Sequence, residues 1–258
     1  MQNHGIHLVP VIGTDIETLL CNSFAISFLI MSKSRLSNKK ALATQLFQKL
    51  VALSRKQDSG DAITLFTYRP SEEIYKIGKN SRGVFYIATG LIKLVRPQET
   101  GDEPLVRLSS DREFLGILSL VRGYQYTSTA IAVNQVEAFR ISRDFFTRAL
   151  DSDYELGYLF IRYLLEIIYS AETKISDLIT KTVEERIAAT LLSLSFQEEG
   201  VKKVTVPKKD LAMISGSIQE TISRKLAAMA KNGLIRLKGK EIIITNLEAL
   251  LRLSKITN

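Results

Sequence analysis

The stretch from Pro207 to Arg224 constrains this chain more than any other. Pro207 stands where an amphipathic helix through Lys208-Lys-Asp-Leu-Ala-Met-Ile214 can begin without needing a backbone donor. Ser215-Gly216-Ser217 then supplies a tight turn, which glycine permits because it adopts a left-handed backbone at little cost. Beyond the turn, Ile218, Ile222, Leu226 and Met229 recur at steps of four and three. That spacing predicts a second helix with those four residues on one buried stripe and Ser217 as its N-cap. Two short helices hinged on such a turn make a helix-turn-helix.

The face opposite the stripe carries Gln219, Glu220, Ser223 and Arg224 within the first two turns, flanked by Ser217 and Lys225. A helix that enters the major groove N-terminus first meets base edges with those positions. Arginine forks onto guanine, glutamate accepts from the cytosine amino group, and serine or glutamine reaches a neighbouring base. Ser217-x-x-Glu220 also fits a capping box, and Arg224 is spaced to pair with Glu220 at i, i+4. Asn232-Gly233 ends the helix. Two β-rich runs follow around Lys238-Gly239-Lys240 and read as a hairpin, with Lys238 and Lys240 at its tip to meet phosphates. Double-stranded DNA is the partner these residues imply.

Charge agrees: the net charge is +8, and from Val183 onward Lys and Arg outnumber Asp and Glu thirteen to eight. That excess is modest, so the placement of the basic residues matters more than their number. One cysteine, Cys21, precludes an intrachain disulfide and a four-thiolate iron-sulfur cluster. His4 and His7 are assigned to a loose tail, with no metal site and no cofactor expected. No Ser/His/Asp or paired-carboxylate constellation appears, so no catalytic residues are assigned and an enzyme is not expected.

Residues 1–40 are read as an N-terminal extension. Its apolar run Phe24-Ala-Ile-Ser-Phe-Leu-Ile-Met31 is too short to span a bilayer and has no basic leader. It is either a helix docked on the body of the protein or a stretch ahead of a true start at Met31; an intact mass that includes residues 1–30 excludes the second. A cytoplasmic protein without membrane partners is expected.

Between Ala62 and Ile141 the pattern shifts to short β-rich runs: Ile63–Tyr68, Glu73–Ile77, Val84–Ala88, Leu91–Val95 and Leu105–Leu108, with Gly78, Gly90 and Gly101 between runs. Phe114–Leu120 and Tyr126–Val133 are expected to close a small β-barrel or jelly roll. Asp153 to about Thr182 then reads as one long helix in which Ile161, Leu164, Ile168, Ala171, Ile175 and Leu178 alternate at steps of three and four, a coiled-coil seam for a second copy of the chain. Leu159, Phe160, Tyr163, Leu165 and Ile167 widen the apolar arc enough to pack on the barrel as well.

From about Val183 to Leu251, through Asp210-Leu-Ala, Gly216, Glu220-Thr-Ile-Ser-Arg224 and Asn232-Gly-Leu-Ile235, the chain resembles the Crp/Fnr superfamily of bacterial transcription regulators. The order of the β-rich runs is similar to the cyclic-nucleotide-binding domain of the same superfamily, which extends the resemblance to nearly everything after residue 60. It implies an α+β architecture: a sensor barrel over 41–150, a dimerisation helix over 151–182, and a winged helix-turn-helix over 183–258. It also implies that Glu220 and Arg224 read bases, and that Ser223 belongs with half-sites containing a TTGA-type core.

The chain departs from the nucleotide-binding pattern, which carries Gly-Glu for the ribose and Arg-Ser-Ala for the cyclic phosphate. Here Gly116-Ile117 and Tyr126-Thr127-Ser128 stand at those places, and burying a phosphate without a cationic partner is costly. Tight binding of cyclic AMP is not expected. The run through Gly116, Ile117 and Leu118 is similar to the cyanobacterial nitrogen-regulator subgroup, whose members hold 2-oxoglutarate, and Glu172 matches an acidic residue of that site. Against that reading, Ile167 falls where a helix arginine is needed, and no arginine occurs between Gly123 and Glu137. Gly116, Ile117, Leu118, Tyr126, Thr127 and Glu172 are the candidate effector residues, for an unknown small molecule or none. The expected function is a homodimeric, sequence-specific activator that binds a palindromic site and touches RNA polymerase. The alternatives are nitrogen control through 2-oxoglutarate, or a small-molecule sensor acting on a protein partner.

Overall fold

The structure is a computed structural model that describes residues 35–56, 61–97, 104–123, 125–198 and 200–255. The expectations for Cys21, His4, His7, the apolar run up to Met31 and Gly101 lie outside the described residues.

A helix not anticipated from the sequence, α1 (Arg35–Lys56), opens the described chain. Leu42, Leu46, Phe47 and Leu50 repeat at helical spacing and are all buried. Lys39 and Lys40 in this helix pair with Glu113 at 2.9 Å and Asp111 at 3.1 Å. A boundary at residue 41 therefore cuts a helix whose first turns already belong to the folded body.

Eight strands follow: β1 (Ile63–Tyr68), β2 (Glu73–Tyr75), β3 (Gly83–Thr89), β4 (Leu91–Val95), β5 (Leu105–Ser110), β6 (Phe114–Leu115), β7 (Thr129–Ala132) and β8 (Val136–Ser142). They form two four-stranded sheets, ordered β1-β8-β3-β6 and β2-β7-β4-β5, the double-sheet arrangement of a jelly roll. Phe114–Leu120 is not one closing strand. After two strand residues Gly116 takes φ 80°, and Ile117–Arg122 forms a short helix, α2. An unbroken apolar run carries no period that separates strand from helix. The strand expected over Tyr126–Val133 is confined to Thr129–Ala132.

Alternation along β3 divides the interior into two clusters. Phe85 and Ile87 pack with Tyr75, Ile92, Leu94 and Tyr126, while Val84 and Tyr86 turn toward α1 and the helices that follow. Those are α3 (Arg143–Ser152), capped by Ser142, and α4 (Tyr154–Thr180). Phe47 stacks on Tyr86 with centroids 4.1 Å apart, and the Tyr163 hydroxyl accepts from the Phe114 amide at 3.0 Å.

Helix α4 is apolar on two opposite sides. Leu156, Phe160 and Tyr163 are buried in the core cluster, with Leu159, Leu164 and Ile167 packed against it. Tyr154, Tyr158, Ile161, Leu165, Ile168, Ile175 and Ile179 are exposed. Of the expected seam, Ile161, Ile168, Ala171, Ile175 and Leu178 are exposed, but Leu164 turns into the core, and Leu165, expected against the barrel, faces out. The exposed face keeps 161 and 168 of the expected seam and differs from it at one place, Leu165 instead of Leu164, because Tyr163 and Phe160 fix the rotation of the helix.

The chain divides into two compact units, one of residues up to 103 and 108–167, the other of 104–107 and 168 onward. Beyond α4 the second unit contains α5 (Val183–Leu194), β9 (Phe196–Glu198), β10 (Val201–Thr205), α6 (Lys208–Ile214), α7 (Gln219–Lys231), β11 (Ile235–Lys238), β12 (Glu241–Ile244) and α8 (Leu247–Ser254). The expected hairpin is β11–β12. It belongs to a four-stranded sheet, β11-β12-β10-β9, whose last two strands were not anticipated. No helix of the described residues is long and apolar enough to cross a membrane.

Candidate nucleic-acid interface

Two Schellman motifs frame helix α7. At the end of α6, Gly216 takes φ 60°, its amide bonds to the Met213 carbonyl at 3.3 Å, and the Ser217 amide reaches back to Ala212 at 2.9 Å. At the end of α7, Gly233 takes φ 72°, with Gly233 to Ala230 and Leu234 to Met229 both at 3.0 Å. The first motif corrects the expected start of the helix. The Ser217 amide closes α6, and the N-cap falls one residue later on Ile218, which has no side-chain cap. No capping box forms, and Glu220 stands in the first turn of α7 instead of bonding back to a serine.

Ile222, Leu226 and Met229 are fully buried as the spacing predicts, whereas Ile218, assigned to the same stripe, is 65% exposed. It precedes the helix, so helical periodicity does not govern it. Gln219, Glu220 and Arg224 are exposed and Ser217 and Ser223 half-buried. No ion pair joins Arg224 to Glu220, and both residues are exposed. The first turn of α7 has no side-chain cap, and its free amides suit an anionic oxygen.

Lys225 differs from its neighbours: its ammonium lies 2.8 Å from Glu184 of α5 and ties α7 to that helix. Lys238 and Lys240 are exposed on either side of Gly239, which takes φ 60° in a two-residue turn between β11 and β12. Lys208 and Lys209, exposed in the first turn of α6, add two cations that the sequence reading did not assign.

Arg186 of α5 was also missed. Its guanidinium donates to the carbonyls of Ser215 (2.7 Å) and Gly216 (3.2 Å) in the turn, and to Lys181 (2.5 Å) and Leu178 (3.5 Å) at the end of α4. One side chain thus satisfies carbonyls at two helix ends that lack partners of their own. Thr182 and Glu185 start α5 with a reciprocal capping box, and Lys255 bonds Glu185 at 2.6 Å. That ammonium and the Thr182 amide hold the Glu185 carboxyl below its ordinary range. Arginine in a helix gives no sequence signal that separates such a hub from a solvated charge.

In the first unit, Gly116 and Tyr126 come together: a Cβ on Gly116 would meet the Tyr126 ring at 3.4 Å. Ile117 is buried and Leu118 exposed. Tyr126 stacks on Tyr75 with centroids 4.0 Å apart, and its hydroxyl takes the Arg82 amide at 3.2 Å and donates to Gly83 at 3.3 Å. The Thr127 carbonyl accepts from Arg96 at 3.2 Å. Glu172 is exposed on α4, in the second unit. Among the described residues no group of three or more His, Cys, Asp or Glu could hold a metal ion.

Comparison with known proteins converges on the same two domains. Residues 65–153 match the cyclic nucleotide-binding domain and residues 185–253 the Crp-like helix-turn-helix domain, together more than half of the chain. The chain is 28% identical over 185 residues to the CRP-like cAMP-activated global transcriptional regulator of Mycobacterium tuberculosis, covering 69% of this chain and 83% of that one. It is 26% identical over 210 residues to the global nitrogen regulator of Synechococcus elongatus, covering 78% and 95%. The fold of FixK2 from Bradyrhizobium japonicum superposes with a TM-score of 0.66 at 22% identity, over 76% of this chain and 99% of that one. With a jelly roll of cyclic-nucleotide-binding type followed by a helix-turn-helix and its wing, the chain belongs to the Crp/Fnr family, whose members are DNA-binding transcription regulators and not enzymes.

Proposed function

We propose that this protein is a cytoplasmic, homodimeric transcription activator that reads a palindromic DNA site and contacts RNA polymerase from it. The observation that carries the reading is the exposed, unpaired group of Gln219, Glu220 and Arg224 at the N-terminal end of α7, held by a closed glycine turn. Arg224 and Glu220 read a G·C pair, Ser223 and Gln219 reach neighbours, and the exposed Ile218 side chain suits a thymine methyl. Lys238 and Lys240 grip phosphates and fix register. The outward apolar face of α4 is the surface for a second copy, which sets two recognition helices about 34 Å apart, one turn of DNA.

Selection from a random duplex library by the purified protein, at two salt concentrations, tests this. A palindrome with half-sites one turn apart is expected. Unpatterned, salt-sensitive DNA, or none, favours a sensor that acts on a protein partner. Arg224→Ala is expected to lose roughly 1–3 kcal/mol on the selected site and to relax the choice at one base pair; wild-type preference in that variant removes Arg224 from base reading.

The barrel domain is proposed as a sensor that does not take cyclic AMP in the usual way. Tyr126, at the place of the phosphate-binding arginine, is stacked and hydrogen-bonded in the interior, and Ile117 puts an apolar side chain where the ribose carboxylate belongs. Calorimetry with cyclic AMP is expected to show no binding tighter than about millimolar, an affinity of roughly −4 kcal/mol; a micromolar constant contradicts this.

A further inference from the structure

Near the start of α1 a lysine stands on the apolar stripe. Lys39 heads the run of Leu42, Leu46 and Leu50 at helical spacing, so its side chain enters the protein beside theirs. There its ammonium lies 2.9 Å from Glu113, and the two side chains are only 14% and 10% exposed. Lys40 takes the neighbouring Asp111 at 3.1 Å, which Arg112 also holds at 3.0 Å. The turn so gripped is strained: Arg112 takes φ 59°, a left-handed backbone uncommon for any residue but glycine. Such a conformation persists only where its surroundings over-determine it. Here those surroundings are the lysines of α1 and the Ile87 carbonyl, which accepts the Arg112 amide at 2.8 Å.

The same turn leads into the candidate effector residues and bonds to α4. Phe114 follows it directly and donates its amide to the Tyr163 hydroxyl at 3.0 Å, and Gly116 stands two residues further on. Tyr163 and Glu166 share one side of α4 at the i, i+3 spacing, and Glu166 accepts from Asn38 of α1 at 2.6 Å. Further along α1, Lys49 pairs with Asp153 at 3.1 Å and with Glu155 at 2.5 Å, where α4 begins. A helix tied at two points along its length cannot turn about its own axis without breaking one of the ties. Helix α1 therefore holds the strained turn, the start of α4 and its middle at once.

We infer that α1 is a clamp that couples the turn at Asp111–Glu113 to the rotation of α4, with Asn38, Lys39 and Lys40 as its positioning residues. A ligand that displaces Gly116, Ile117 or Leu118 works against this clamp. It pulls on the bond between Phe114 and Tyr163, and α4 turns only when the lysines let the strained turn relax. The outward side of α4 is the proposed surface for a second copy, and the effect of the clamp on assembly rests on that reading: the clamp sets how that surface is presented.

The test uses the full chain without DNA or added ligand. Dimer dissociation constants are measured by sedimentation at a temperature where circular dichroism shows the variants folded. Asn38→Ala and Lys39→Gln are each expected to raise the constant at least about fivefold, the low end of the usual coupling between separate sites. Lys39→Arg keeps the cation and should stay near the parent, as should Lys56→Gln in the last turn of α1, away from the strained turn. Lys39→Gln leaves the enclosed Glu113 carboxylate unpaired. Should that variant not fold, Asn38→Ala decides alone, because it removes only an exposed hydrogen bond. The proposal fails if Asn38→Ala dimerises like the parent, even if it melts lower, since α1 is then only a stabilising helix. It also fails if a folded Lys39→Gln dimerises no worse than Lys39→Arg. A parent that stays monomeric overturns the reading of α4 as a surface for a second copy and the clamp's effect with it, whereas a dimeric parent matched by Asn38→Ala overturns the clamp alone.

Discussion

Gly83→Ala unfolds the barrel domain at a denaturant concentration far below that of the parent, with an expected loss of about 4 kcal/mol or more, out of the 5–15 kcal/mol that usually holds a domain together. Gly83 begins β3 at φ 147°, opposite Ser142 of β8. A Cβ there would lie 2.0 Å from the Ile141 carbonyl oxygen and 3.2 Å from the Arg143 amide nitrogen. Both are backbone atoms, so no rotamer change relieves the contact, and the strands must part. The Gly83 carbonyl also accepts from Ser81 at 3.2 Å and from Tyr126 at 3.3 Å, so a shift propagates to the Tyr126–Tyr75 stack. Gly78→Ala is the matched control. Gly78 takes φ 76° with open space around the added carbon, which leaves only the left-handed backbone cost of about 1–2 kcal/mol. Equal urea midpoints for the two variants would refute the close approach of β3 and β8.

What could be read in the sequence follows from which physical signals are local. Strands β1 and β4 match the expected Ile63–Tyr68 and Leu91–Val95 to the residue, because β-branched runs bounded by turns leave one reading. The buried triad Ile222, Leu226 and Met229 was legible from spacing alone. The first residue of that stripe was not. Ser217 has the chemistry of an N-cap, but it closes the turn at the end of α6 and the next helix begins one residue later, which is visible only once both helices exist. The rotation of α4 was hidden for a similar reason. Its apolar residues cover nearly the whole circumference, and only the packing of Phe160, Tyr163 and Leu164 in the core shows which side stays exposed. Arg186, a charged residue that ties helix ends together, looks the same in sequence as a solvated one.

Arg186→Ala is expected to cost about 2–4 kcal/mol of stability in the second unit and to reduce specific DNA affinity at least tenfold, though the residue lies outside the recognition face. Hydrogen bonds from a charged donor contribute roughly 1.5–3 kcal/mol each, and the four acceptors here are partly exposed, so water recovers part of the loss. The larger consequence is geometric. Ser215 and Gly216 set the angle at which α7 leaves α6, and Lys181 and Leu178 end α4, so one guanidinium fastens the recognition turn to the long helix. Leu178 reinforces this, since its side chain lies where a Cβ on Gly216 would come within 2.6 Å. Arg186→Lys separates charge from geometry. It keeps the cation but cannot fork to both helix ends, so it should recover much of the thermal midpoint and little of the DNA affinity. Melting by calorimetry alongside titration of a fluorescent operator duplex measures both quantities on the same samples. If Arg186→Ala melts lower yet binds its site with parental affinity, the turn is held by Gly216 and its Schellman bonds alone, and Arg186 is only a stabilising residue.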